Sequence, residues 1–496
     1  MRNQPQLITY VDRLTAGTFR DLERLLTGSL ARAFGGVHVL PFFDPIDGAD
    51  AGFDPIDQRR VDPRLGTWDD VRALASHTDI MADVIVNHVS SRSPQFESFD
   101  RHGGASPYTG MFLTYSRVFP HGATETDLLA LYRPRPGLPF TQHRTSQGGQ
   151  VLLWTTFTSE QVDIDVYHPE GEQYLNAILA QFESVGIRTI RLDAVGYAVK
   201  KAGTTCFMIP ETFEFIADLA SRAHARGIEV LVEIHAHYLD QIAIAARVDR
   251  VYDFALPPLV LHTLYARDVT ALARRLELRP SNAITVLDTH DGIGVLDVGA
   301  SRQTGQAGLL PADEIDALVE TTHERSLGGS RLATGTAANN LDLYQVNCTF
   351  YDALGRRDNE YLIARAMQCF VPGVPQIYYV GLLAGHNDLE LLRRTGVGRD
   401  INRHYYTPRE IEEHLQRPVV QRLMSLLEFR NSHPAFHGTF QLACSSGQSL
   451  VMEWRPGPDW ARLDVDLTNT RAWITCSRPD DTCERPVWHT IPEGPR

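Results

Sequence analysis

Eight short runs rich in β-branched and other apolar residues punctuate the chain: QLITY, GVHVLP, IMADVIVN, IRTIRLDA, EVLVEI, RVYDFALP, AITVLD and PQIYYVG. Each has the length of a strand buried on both faces, and amphipathic segments separate them. Three of those segments, Thr18 to Ala33, Gly171 to Val185 and Glu211 to Gly227, carry a helical period, the last running to a glycine suited to end a helix. Strand-helix units repeated in this way predict a parallel sheet. Closing eight such strands into a ring leaves no apolar edge bare, so the expected fold class is α/β, a (β/α)8 TIM barrel; a doubly wound open sheet is the alternative.

Two spacings are too long for simple crossovers, one after the third run and one after the seventh. The first carries prolines and aromatics (RPRPGLPF) and the second glycine and small polar residues (GGSRLATGTAANN), a composition for loops that shape a pocket. From about residue 436 the runs TFQLACS, SLVMEWR and AWITC follow one another without helices. The expected layout is barrel over 1–87, an inserted domain B over 88–166, barrel over 167–291, a second insertion B′ over 292–354, barrel over 355–435, and a small all-β C-terminal domain over 436–496. No internal repeat is visible.

A net charge of −14 argues against nucleic acid or an anionic membrane as partner, so any anion must be caught locally. The opening MRNQPQLITYVDRL lacks the basic flank and apolar run of a signal peptide, and no stretch reaches membrane-span length; the expectation is a cytoplasmic protein. Six cysteines lie scattered without a C-x-x-C pair, which encodes neither a zinc ribbon nor a redox motif. Free thiols are expected, with a disulfide among the three C-terminal ones as the lesser reading.

In such a barrel, polar residues that end apolar strands face the functional mouth. Asp193 ends RTIRLDA, Glu233 ends VLVEI, and Asp291 follows ITVLDTH. Any one of them alone could be a buried partner of an arginine; three converging on one mouth point to chemistry. Glycoside transfer needs one carboxylate as nucleophile and one carboxylic acid for the leaving oxygen, roles that Asp193 and Glu233 fit. Arg191 shares a strand face with Asp193 and is expected to keep it ionised. Glu233 must hold its proton, and repulsion from Asp193 works in that direction. For an incoming phosphate, Arg135 in the proline-stiffened RPRPG loop is the candidate cation, its bland alternative being an exposed loop arginine. His235 is a candidate helper beside it.

The segments DVIVNH (83–88), RLDAVG (191–196), EIH (233–235) and DTHD (288–291) resemble, in order, the four signature regions of the α-amylase superfamily, glycoside hydrolase family thirteen. GADAGFDPID (48–57), YRPRPGLPF (132–140), AANNLDLYQVN (337–347) and GRDINRHYY (398–406) resemble the sucrose phosphorylases within it. The resemblance implies Asp193 as nucleophile, Glu233 as acid/base, and Asp291 with His290 as stabilisers acting through the sugar hydroxyls. It implies that Asp50 and Arg399 close the blind end of a one-glucosyl pocket near Phe53 and His88. It also implies a loop, Asp342, Leu343, Tyr344 and Gln345, that presents Tyr344 to phosphate and Asp342 to fructose. The implied partners are sucrose, inorganic phosphate, glucose 1-phosphate and fructose, with a homodimer as the frequent assembly of relatives. No cofactor or metal is implied: DVIVNH resembles a region that helps hold calcium in amylases, but phosphorylases of this type do without it.

One departure stands out. After Glu233 the chain reads His235, Ala236, His237, Tyr238, where the sucrose phosphorylases it resembles tend to place tyrosine at His237. Phosphorolysis of glucosylglycerol, glucosylglycerate or sucrose 6′-phosphate, each through the same carboxylates, therefore stays open. Tyr344 favours plain sucrose, and 337–347 holds no extra basic residue for a phosphorylated acceptor. An α-glucoside hydrolase or transglucosidase is the further alternative, and a non-catalytic amylase-like binding subunit the remote one, since all three carboxylates are present.

Overall fold

The eight apolar runs are eight strands that close on themselves in chain order. Gln6–Thr9 (β1), Gly36–Val39 (β2), Asp79–Ile85 (β3), Thr189–Asp193 (β4), Glu229–Val232 (β5), Arg250–Asp253 (β6), Ala283–Thr285 (β7) and Val374–Tyr378 (β8) form a parallel barrel. It is completed where β8 returns to β1, Gln376 lying opposite Gln6. This computed structural model describes residues 1–15, 17–47, 51–134, 137–301, 305–336, 345–455, 457–477 and 486–491.

Every residue of β1, β2, β4 and β8 is buried, which is why these strands read as unbroken apolar runs and not as alternating ones. The polar residues that interrupt them satisfy one another inside the barrel. Gln376 Nε2 donates to Gln6 Oε1 at 2.8 Å, Gln368 Nε2 donates to the Gln376 carbonyl at 2.8 Å, and His38 Nε2 lies 2.9 Å from Asp83 Oδ2.

Helices Pro169–Ser184 and Pro210–His224 precede β4 and β5, each opening on a proline whose missing N–H costs nothing in a first turn. The first helix is shorter than its sequence pattern: Phe19–Thr27, started by the Thr18 side chain accepting from the Asp21 N–H. It stops at Gly28, where φ −102° and ψ −110° leave the helix and where a Cβ would sit 2.7 Å from the Arg24 carbonyl oxygen.

Two excursions leave the C-terminal ends of barrel strands. After β3, the ribbon His88–Ser90 with Gln161–Asp163 and the hairpin Phe140–Arg144 with Gln150–Trp154 surround a small core that includes Phe119 and Trp154. After β7, Ile293–Gly294 pairs with Gln345–Val346, and helices Ala312–Arg325 and Gly329–Thr336 lie between. Thr439–Ser446 (β9), Ser449–Arg455 (β10), Ala461–Asp466 (β11), Arg471–Cys476 (β12) and Trp488–His489 (β13) make a five-stranded antiparallel sheet. Its tryptophans tie it to the barrel layer: Trp454 Nε1 donates to the Phe370 carbonyl at 2.8 Å and Trp488 Nε1 to the Arg422 carbonyl at 2.9 Å. Among the described residues no helix is long and apolar enough to cross a membrane. Cys206, Cys348, Cys369, Cys444 and Cys476 are free thiols, and Cys483 lies outside the described residues.

Candidate active site

Residues two apart on a strand share a face, and β4 uses that parity to stack Asp193 above Arg191. In register, Arg191 lies opposite Asp83 of β3. Beyond Asp193 the chain turns through a left-handed alanine, Ala194 at φ 54°, a conformation that costs a non-glycine residue roughly 1–2 kcal/mol. The turn holds Asp193 at the barrel rim and aims the Ala194 N–H at Glu233 Oε2, 3.4 Å away. Arg191, 2% exposed, then divides one guanidinium among three carboxylates. Nη1 donates to Asp193 Oδ1 at 2.9 Å and to Asp83 Oδ1, while Nη2 lies 3.0 Å from Glu233 Oε1.

Divided in this way, Arg191 does not keep Asp193 in the usual carboxylate range. Burial pushes the Asp193 carboxyl well above it; Arg191 opposes that rise, and the charges of Glu233 and Asp83 add to it. This corrects the expectation from β4 alone that Arg191 keeps Asp193 ionised.

The opposite wall is built on the loop after β7. Burial would raise Asp291 too, but Arg399 Nη1 stands 2.8 Å from its Oδ1, and His290, Arg403 and Arg191 add to the pull; the carboxyl is held far below the usual range. Burial drives the adjacent His290 imidazole down to about 3, with Asp291 opposing and Arg191 and Arg403 reinforcing. A neutral imidazole results, pressed against the Phe53 ring at 4.8 Å with planes 13° apart. Arg403, absent from the sequence reading, fixes this corner by donating from Nε to the His290 carbonyl at 2.9 Å.

These walls enclose a cavity of about 440 Å³. Asp193, Glu233, His235, His290, Asp291 and Arg399 line it, joined by Phe53, His88 and Gln345. His88 Nε2 donates to the Phe53 carbonyl at 2.9 Å, and Gln161 Nε2, also missed in sequence, donates to the same oxygen at 3.3 Å. Gln345 Oε1 accepts from the Gly292 N–H at 3.3 Å, which ties the start of the described chain after 344 to the Asp291 loop. Asp50, Arg135, Asp342, Leu343 and Tyr344 lie outside the described residues.

His237, the departure noted above, also lines the cavity, and its Nε2 donates to the Ala307 carbonyl at 3.2 Å. Glu233, His235 and Asp291 bring ligand atoms within 4.8 Å of one another, but Arg191 and Arg399 already balance the two carboxylates. At the base of the first excursion the chain supplies a cation of its own. The buried Lys200 ammonium lies 2.6 Å from Asn87 Oδ1 and 2.6 Å from Asp163 Oδ2, and donates to the Tyr197 carbonyl. Two carboxyl groups on one guanidinium, with a carboxylate held far below the usual range and a neutral imidazole in the same cavity, make a site equipped for double displacement at an acetal carbon.

The α-amylase catalytic-domain family model matches residues 33–247. The chain is 61% identical over 477 residues to the sucrose phosphorylase of Agrobacterium vitis, covering 96% of this chain and 98% of that one. It is 53% identical over 467 residues to the sucrose phosphorylase of Bifidobacterium adolescentis, covering 94% and 92%. Among solved structures, the sucrose 6F-phosphate phosphorylase of Thermoanaerobacter thermosaccharolyticum superimposes with a TM-score of 0.90 at 37% identity, covering 99% of this chain and 98% of that one.

Proposed function

The chain belongs to the sucrose phosphorylase group of the α-amylase family, and we propose that it transfers the glucosyl unit of sucrose reversibly to inorganic phosphate through a glucosyl ester on Asp193. The observation that carries this reading is the single Arg191 guanidinium held between Asp193 and Glu233 at the tips of adjacent strands. In the first step an Asp193 oxygen bonds to the anomeric carbon as the bond to the fructosyl oxygen breaks. Glu233, as the acid, delivers its proton to that oxygen, and fructose leaves. In the second step a phosphate oxygen attacks the same carbon from the vacated face, the ester bond to Asp193 breaks, and Glu233 takes the phosphate proton. Two inversions give α-D-glucose 1-phosphate.

Asp291 and His290 suit the transition state between these steps. A carboxylate held ionised by Arg399 opposes the positive charge that develops on the sugar, and a neutral imidazole meets hydroxyls without adding a cation beside it. Arg135, Asp342, Leu343, Tyr344 and Asp50 keep the roles the resemblance implies: Arg135 and Tyr344 toward phosphate, Asp342 toward fructose, Asp50 at the blind end with Arg399. Cytoplasmic location and a homodimer belong to the same proposal.

Plain sucrose is preferred over a phosphorylated disaccharide because Arg399 is the one Lys or Arg among the described residues lining the cavity, and Asp291 already engages it. The test is incubation with phosphate and each glucoside in turn, sucrose, sucrose 6′-phosphate, glucosylglycerol and glucosylglycerate, reading glucose 1-phosphate and released acceptor. Sucrose is expected to give the highest kcat/KM. Free glucose formed at the same rate with and without phosphate would instead identify a hydrolase.

A further inference from the structure

Asp297 lies in the loop after β7, six residues beyond Asp291, and is 3% exposed. A buried carboxylate on a single 3₁₀ turn, Leu296–Val298, needs a reason, and its two oxygens face two different partners. Oδ1 accepts from Gln241 Nε2 at 2.9 Å, and Oδ2 lies 3.4 Å from His235 Nδ1. The backbone makes room for it: a Cβ on Gly294 would sit 2.6 Å from Asp297 Oδ2 and 3.7 Å from His235 Nδ1. On its face the His235 ring stacks against Phe254, centroids 3.9 Å apart and planes 14° apart. With one face packed and Nδ1 engaged, the ring has one orientation, and its Nε2 stands 3.9 Å from Glu233 Oε1 in the cavity.

We propose that Asp297 is a positioning residue for the second half of the reaction: it orients His235 through Nδ1 so that Nε2–H is presented as a donor to the phosphate that attacks the glucosyl ester. The inference rests on the phosphorylase reading above. Three carboxylates surround the ring, Asp297 at Nδ1, Glu233 at Nε2 and Asp291 with an oxygen within 4.8 Å of a ring nitrogen, while Arg191 pairs with Glu233 and Arg399 with Asp291. Asp240 lines the same cavity. Burial works against the charged imidazole, but Asp297 and then Glu233 and Asp291 outweigh it and carry His235 up to about 9. The ring is therefore a cation at neutral pH in a protein whose overall charge repels phosphate. His290, lining the same cavity, is by contrast kept neutral by its surroundings.

The test is Asp297→Asn in the full-length enzyme, with Gly294→Ala as a second variant that displaces Oδ2 without altering a charged residue. KM for phosphate is expected to rise about tenfold, near 1.4 kcal/mol. The glucose share of turnover should rise with it. Consumption of α-glucosyl fluoride, which reports ester formation, should fall by much less. The alkaline limb of kcat/KM for phosphate should move to lower pH, because the cationic form is present below the folded pKa and Asp297 holds that value up. His235→Gln should show the same phosphate defect, and adding Asp297→Asn to it should cost little more. A wild-type enzyme that makes no glucose 1-phosphate overturns the phosphorylase reading itself. A wild type that does, with an Asp297→Asn variant whose phosphate KM and alkaline limb are unchanged, or one that loses ester formation and phosphate capture equally, overturns the role given to Asp297.

Discussion

Asp193 ends barrel strand β4 and Asp291 lies on the loop after β7; both line one cavity, and their carboxyl groups are driven in opposite directions. Burial cannot be the difference, since it raises both. What differs is the ratio of guanidinium to carboxylate. On the β4 and β5 side, Arg191 is spread over Asp83, Asp193 and Glu233, so burial wins at Asp193 and pushes its carboxyl up. On the β7 side, Asp291 has Arg399 in contact and Arg403 and Arg191 behind it. One wall is short of positive charge and its nucleophile's carboxyl is pushed up; the other has charge enough to stay ionised. That division matches what double displacement asks: proton transfer at one wall, a fixed negative charge at the other.

The heaviest blow to this asymmetry is removing the nucleophile. Asp193→Asn should cut sucrose turnover by ~10⁴-fold or more, the scale of losing a member of a catalytic unit, with the circular dichroism spectrum unchanged. An active, folded variant would reassign the wall. Glu233→Gln should lower turnover of sucrose by ~10³-fold yet largely spare ester formation from α-glucosyl fluoride, whose leaving group needs no proton. Equal losses on both donors would remove the acid role.

Most of the first wall was readable from the chain. A strand buried on both faces must be apolar, so the carboxylates ending RTIRLDA and VLVEI were conspicuous, and strand parity put Arg191 beneath Asp193. What parity could not give is how many acids share that arginine: Asp83 lies on β3, over a hundred residues earlier, and only the barrel register sets it opposite Arg191. Asp297, in GVLDVG, and Lys200, in AVKKAG, follow no apolar strand and read as surface residues until the fold buries them. The same reason hid β11, whose ARLDVD alternates arginine and aspartate with apolar residues, and β13, only two residues long. The first helix was overread because the apolar period continues past Gly28 while the backbone does not.

The second wall offers a pH test. Asp291 is held ionised by Arg399, so what it contributes is present above its folded pKa and lost as pH falls through it. Arg399→Ala raises that folded value, and the acid limb of kcat/KM for sucrose should move to higher pH, with a loss of ~10²-fold near neutrality for a broken, partly buried charge pair. An unmoved acid limb would mean that Arg399 is not what keeps Asp291 charged. The smallest effect concerns metal. Arg191 and Arg399 already occupy the acids that face the cavity and Lys200 supplies the cation at Asn87 and Asp163, so exhaustive chelation should leave the rate unchanged. Loss restored by calcium would show that a cation is missing from this charge balance.

The most direct measurement catches the two walls at work between the steps. Glu233→Gln is mixed with α-glucosyl fluoride in the absence of phosphate, digested, and its peptides mapped by mass spectrometry, with and without a subsequent phosphate chase. Asp193 should carry one added anhydrohexose, because the ester forms without an acid and lacks the base that would discharge it; chasing the wild-type ester with phosphate should give α-glucose 1-phosphate. A hexose on Asp291 or Glu233, no adduct at all, or initial release of the β-anomer would contradict the account.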